Sequence, residues 1–184
     1  MALHQVRLLQ PLRPVKGAPS STPFQSILSN YNTVAESGWI INSLGDNSNI
    51  SLSLNNGYLV VTEVNSGTVE NDGKSNPVET TASIKNTRGF TVKKGTTYKL
   101  SVKLISSMNR TLSFFLVDTE NSWPYVANAE QVDAKQGEQL LTTTFTTTET
   151  TEVYAYLAFG TNWDNTFNNC TVQIAEVLVD EVSK

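Results

Sequence analysis

Residues able to do covalent chemistry are scarce in this chain. The only histidine is His4 and the only cysteine is Cys170. With His4 in a proline-rich leader, the body has no Ser-His-Asp or Cys-His nucleophile and no histidine-based zinc site. No disulfide can form within the chain, and Cys170 reads as a small core residue. No glycine-rich phosphate loop or dinucleotide fingerprint occurs. Carboxylates remain: Asp118 with Glu120, and Glu130 with Asp133. General acid–base work would require one of each pair to have a raised pKa, and nothing in their spacing sets them apart from solvated loop acids. The chain reads as non-enzymatic.

The aromatic residues say more. Trp163 stands between Asn162 and Asp164 in a run from Gly160 to Asn165. Trp123, Pro124 and Tyr125 form a second run, with Asn121 and Asn128 close by. An exposed ring takes the apolar C–H face of a sugar while amides and carboxylates hydrogen-bond its hydroxyls. Trp123, Tyr125, Asn162, Trp163 and Asp164 are therefore the candidate glycan contacts. The competing reading folds each loop ring back onto the edge of the domain. Tyr154 and Tyr156 share one face of a strand, and they either line a sheet surface or fill the interior. Trp39, beside Ile40 and Ile41, reads as core. The acid–amide runs Asp118–Asn121 and Asp164–Asn165 offer oxygen ligands to calcium, but neither has EF-hand spacing. The expectation is no metal and no cofactor.

The elements that must hold these rings are strands. Tyr98, Leu100, Val102 and Leu104 alternate with Lys99, Ser101 and Lys103, the period of a half-buried strand. Phe90 and Val92 precede it, joined through Lys93, Lys94 and Gly95. Ile50, Leu52 and Leu54 alternate with polar residues up to Asn55, Asn56 and Gly57, a hairpin turn into Tyr58–Val64. Further strands are expected from Trp39, over Thr80–Ile84, Thr111–Val117, Leu140–Thr148, Val153–Phe159 and Thr171–Asp180. The Val153–Phe159 run is apolar on both faces, hence central. Asn65–Pro77, Asp118–Gly137 and Gly160–Asn169 read as long loops. About nine short strands with turn signals between them predict an all-β fold: a two-sheet antiparallel β-sandwich, or jelly roll.

Residues 1–30 are of a different material. They hold four of the six prolines, with Arg7, Arg13 and Lys16 and no acid. Proline excludes a regular helix or central strand there, apart from a short helical turn at Phe24–Ser29. Val6, Arg7, Leu8, Leu9, Leu12 and Arg13 form an apolar, basic stretch suited to lying across a partner. The division is thus 1–30 as an extended anchoring arm and 31–184 as the body. Prolines break the apolar stretch, so no secretory signal is read. No apolar run approaches the ~20 residues that cross a bilayer. The body is more acidic than the net −4 of the whole chain, which disfavours nonspecific nucleic-acid binding.

From Trp39 to Val179 the chain resembles carbohydrate-binding modules of the family 4/9 type. The resembling residues are Asn56–Val61, Val92–Ser101 with Gly95 and Tyr98, Thr144 with Phe145, Leu157–Gly160, and Val172–Val179. The resemblance implies a jelly-roll sandwich that binds polysaccharide. It also implies a structural calcium held partly by an acid in a closing Ile-Asp-Asn-Val type run. Here that run is Ile174, Ala175, Glu176 and Val177, and Ala175 has no ligating side chain.

Such modules usually accompany secreted enzymes. This sequence shows no catalytic constellation, no secretory signal, no disulfide, and an arm suited to a partner. The expectation is a structural protein of a bacteriophage particle, in capsid decoration, neck or tail. The arm would hold it to other virion proteins in multiple copies, and the sandwich would meet cell-surface polysaccharide. The alternative is an extracellular module, free or enzyme-associated, with the N-terminal segment as linker.

Overall fold

Fourteen strands occur among the described residues of the computed structural model, and in several of the longer ones alternating apolar and polar side chains give one face to bury. The structure describes residues 21–43, 48–66, 70–71, 77–78, 83–118, 125–159 and 170–182. The strands are β1 (Phe24–Ile27), β2 (Trp39–Ser43), β3 (Ser48–Asn55), β4 (Tyr58–Ser66), β5 (Glu70–Asn71), β6 (Pro77–Val78) and β7 (Ser83–Asn86). They continue as β8 (Phe90–Val92), β9 (Thr97–Ser106), β10 (Arg110–Val117), β11 (Tyr125–Ala134), β12 (Gly137–Thr146), β13 (Thr151–Ala158) and β14 (Thr171–Glu181). Among the described residues the only helices are a 3-10 turn at Leu28–Asn30 and a single α-turn, α1 (Val34–Ser37).

Two antiparallel sheets form a sandwich. One runs β12-β9-β14-β4-β3, and β1 also pairs with β14. The other runs β11-β10-β13-β7-β2, and β8 also pairs with β13. In each, one long central strand shares an edge between two partners. β4 takes Thr171–Ile174 of β14 and β1 takes Glu176–Val179, either side of a bulge at Ala175. Likewise β8 takes Thr151–Val153 of β13 and β7 takes Tyr156–Ala158. The apolar run of β13 marks it correctly as central.

The core lies between the sheets. Trp39, Tyr98, Phe159, Leu59, Ile84, Leu104 and Ile174 are essentially inaccessible, and Cys170 is buried with them. Trp39 and Tyr98 thus take the core places expected of them. Tyr98 also turns its hydroxyl to accept from the Lys93 amide at 2.9 Å, which pins the β8–β9 turn. That turn, with Gly95 at φ 73°, carries the chain from one sheet to the other, since β8 and β9 do not pair. At the β3–β4 hairpin Asn56 and Gly57 both have positive φ, 49° and 78°. This is the primed-turn geometry that matches strand twist, and Gly and Asn tolerate it best.

Besides the end of β4 and the β5–β6 pair within the loop expected over Asn65–Pro77, two segments differ from the sequence reading. Residues 21–30, read as the end of the arm, belong to the sandwich: β1 is a sheet strand, and Phe24 and Leu28 are buried in the core. The short helical turn is displaced to Leu28–Asn30. Pro23 hides the strand from a sequence reading, but proline is tolerated just before a strand begins. The chain is tied here to the far end of β14. The Glu181 amide donates to the Ser21 carbonyl at 2.8 Å, and the Ser21 and Thr22 hydroxyls donate to Glu181 and Asp180 at 2.6 Å each. The second difference is β11, which fills half of the loop expected over Asp118–Gly137. It is an edge strand pairing only with β10. Its sequence mixes small apolar and polar residues without the alternation that marks a half-buried strand.

Candidate functional site

The outward face of the β13 sheet gathers aromatic residues that the core does not use. Along β13, Val153, Ala155, Leu157 and Phe159 point into the core. Period two therefore turns Glu152, Tyr154, Tyr156 and Ala158 outward. Strand register extends this line sideways. Tyr156 lies opposite Phe115 of β10 and Lys85 of β7, and Lys85 lies opposite Ile40 of β2. The adjacent row places Tyr154 opposite Val117, and Val117 opposite Tyr125 of β11. On the other side, Ala158 lies opposite Ser113 and Ser83.

The two tyrosines differ in character. Tyr156 is 1% exposed although it faces outward. Lys85 accounts for part of this, with its Nζ 5.9 Å from the ring centroid. Burial, and secondarily the neighbouring Tyr154, push the Tyr156 hydroxyl above its ordinary pKa of 10.0. Tyr154 is half-buried and Ile40 is exposed. Of these two rings, Tyr154 is the one placed to meet a ligand directly, with Tyr156 as the packed layer beneath Lys85. Small polar groups border them: Asn42 Nδ2 donates to Ser83 Oγ at 3.3 Å. Glu152 is laid over Gly89, so closely that a Cβ on residue 89 would collide with its carboxylate. Its charge is drawn toward the start of β8.

Tyr125 is the first residue of β11. Trp123, Asn162, Trp163 and Asp164 lie outside the described residues, as do Val6, Arg7, Leu8, Leu9, Leu12 and Arg13 of the arm. The flanks of the two tryptophan segments are placed: Val117 and Tyr125 pair beside Tyr154, whereas Phe159 follows Ala158 at the other end of β13. The two segments therefore leave opposite ends of the Tyr154–Tyr156 face. Lys85 and Val117 escape a sequence reading. Lys85 sits in a four-residue strand with too little periodicity to show a face.

Of the candidate carboxylates, Asp118 directly follows β10, Glu130 and Asp133 lie in β11, and Glu120 lies outside the described residues. Asp118 is buried and accepts from Thr151 Oγ1 at 2.6 Å, and Glu130 and Asp133 lie in β11 opposite Phe114 and Thr111. Among the described residues no three His, Cys, Asp or Glu side chains come together. The calcium implied by the resemblance does not fit at the β14 bulge: Ala175 supplies no side-chain oxygen, and Glu176 lies in register with Ile27 and Lys103. Among the described residues no helix is long and apolar enough to cross a membrane.

No family model and no curated protein matches the sequence. Among solved structures, the chain is similar to a carbohydrate-binding module, CBM4, with a TM-score of 0.61 at 16% identity over 78% of this chain and 86% of that one. It is similar to the module BiXyn10A CBM1, with a TM-score of 0.60 at 11% identity over 86% of this chain and 96% of that one. A third likeness is to the N-terminal cellulose-binding domain of Cellulomonas fimi β-1,4-glucanase C, with a TM-score of 0.53 at 16% identity over 80% and 91% of the two chains. The likeness is one of fold: a two-sheet antiparallel β-sandwich shared with these modules.

Proposed function

We propose that this chain is a non-catalytic polysaccharide-binding module. Its ligand lies on the outward face of the β11-β10-β13-β7-β2 sheet, against Tyr154, with Tyr125, Trp123, Asn162, Trp163 and Asp164 as contacts around that face. The observation that carries the reading is half-buried Tyr154, beside buried Tyr156 on the outward side of β13, in a sandwich whose solved likenesses include carbohydrate-binding modules. Affinity electrophoresis of the full chain through a panel of soluble polysaccharides tests it. Retardation by at least one polymer, reduced by Tyr154→Ala, Trp123→Ala or Trp163→Ala, is the expected result. Free migration through the whole panel would overturn it.

The segment Val6–Arg13 is the proposed anchor. In a bacteriophage particle it would hold the module to other virion proteins in many copies, so that weak single sites act together. In an extracellular module it would be a linker, and the fold is equally consistent with both. Because Phe24 and Leu28 are core residues, the informative truncation removes residues 1–20. On the virion reading, the truncated chain folds and binds polysaccharide but no longer co-sediments with particles. Full-length chain that never co-sediments would leave the extracellular module.

A further inference from the structure

We propose that the polysaccharide taken on this face is anionic, with sugars bearing carboxylates, and that Lys85 selects it. The inference rests on the reading of the face as a glycan site and adds the class of glycan. Lys85 lies on β7, between Tyr156 on β13 and Ile40 on β2. Its ammonium is held near the Tyr156 ring, at 5.9 Å from the centroid, a geometry in which the ring quadrupole favours the cation. Among the described residues no carboxylate lies within ion-pair distance of Lys85, for the ion pairs there are Lys93 with Glu181 and Lys103 with Glu138. Glu152, the described acid on the same face of β13, is folded over Gly89.

A half-buried ammonium with an aromatic ring below it has lost part of its water and keeps its charge available to a ligand. A neutral sugar offers it only hydroxyl dipoles. A ring carboxylate offers a charge-assisted hydrogen bond, the stronger kind. The next row, Ser113, Ala158 and Ser83, consists of small side chains and is buried. The chain as a whole carries −4, so long-range attraction does not draw an acidic polymer in. Selection must be local, and its salt dependence that of about one charge pair.

The test compares polygalacturonate with the same polymer after carboxyl reduction, by titration calorimetry of the full chain at low and moderate salt. Wild type is expected to bind the carboxylated polymer about threefold to tenfold more tightly than the reduced one. Lys85→Met should abolish that difference, read as the ratio of the two affinities within the same protein. Lys85→Arg should retain most of the preference. Equal wild-type affinity for both polymers, with Tyr154→Ala still weakening each, overturns the charge selection and leaves the glycan face standing. Lys85→Met with an undiminished preference also overturns it. Binding of neither polymer, with a neutral glucan or xylan bound instead, removes the carboxylate class alone. No binding to any polysaccharide removes the face as well.

Discussion

Trp39 donates its indole N–H to the Ser26 hydroxyl at 3.1 Å, and both side chains are fully buried. The pair joins the two sheets, since Ser26 belongs to β1 and Trp39 opens β2. It explains why a polar residue occupies a core position on β1, opposite Val177.

Replacing Ser26 with alanine leaves the indole N–H without its acceptor in the core. A buried donor left without a partner costs about 1–3 kcal/mol. Chemical denaturation should show a loss of that size with an unchanged m-value. Stability unchanged within error would mean that the bond contributes nothing.

The two outward tyrosines should part company on mutation. Tyr154→Ala removes a half-buried ring and should leave stability within about 1 kcal/mol. It should weaken polysaccharide binding by about threefold to tenfold, the scale of one ring contact. Tyr156→Ala empties a buried site and should destabilise the sandwich by about 3–5 kcal/mol, as large aromatic deletions do. Thermal melts and affinity electrophoresis on the same preparations separate the two effects.

Tyr156 also sets an alkaline limit. Its folded pKa lies above that of an unfolded tyrosine, 10.0, because burial disfavours the phenolate. The unfolded chain then gives up this proton first as pH rises. The stability contribution is complete below about pH 10 and is lost as pH climbs toward the raised folded value. Tyr156→Phe should flatten that alkaline decline, measured by denaturant midpoints from pH 8 to 11. An identical slope in both proteins would assign the decline to other groups.

Chelation should be silent. With Ala175 at the β14 bulge, the position where the resembling modules carry a calcium-ligating acid offers no side-chain oxygen. Melting temperatures in excess EDTA and in millimolar calcium should coincide within about 1 °C. A calcium-dependent rise would place ligands in segments such as Asp164–Asn165.

The strands legible in the sequence are those with one wet and one dry face. Tyr98 to Leu104 and Ile50 to Leu54 declare themselves by period two, and the Asn56–Gly57 turn declares the β3–β4 connection. β1 is hidden by Pro23 and by a buried serine whose acceptor role needs Trp39, thirteen residues on. β11 is hidden because its apolar residues, from Tyr125 to Ala134, do not alternate with the polar ones. The pairing of Tyr154 and Tyr156 on one face is legible from spacing alone. Which face that is, interior or exterior, is not. The choice depends on the other side of β13, where Val153, Ala155, Leu157 and Phe159 claim the core. Lys85 becomes visible only through register, because cross-strand neighbours are set by topology and not by proximity in sequence.

The tie between Ser21 and Glu181 has a mechanical consequence. The chain enters β1 and completes β14 at one end of the same antiparallel pair. A force separating the segments before Ser21 and after Glu181 would load that pair at its tip, breaking its hydrogen bonds one after another. Such peeling yields at low force. It would lift β1 and draw Phe24 and Leu28 from the core while β13 and its tyrosines stayed in place. A module gripped in this way would act as a compliant link that gives at its root before it lets go of a ligand.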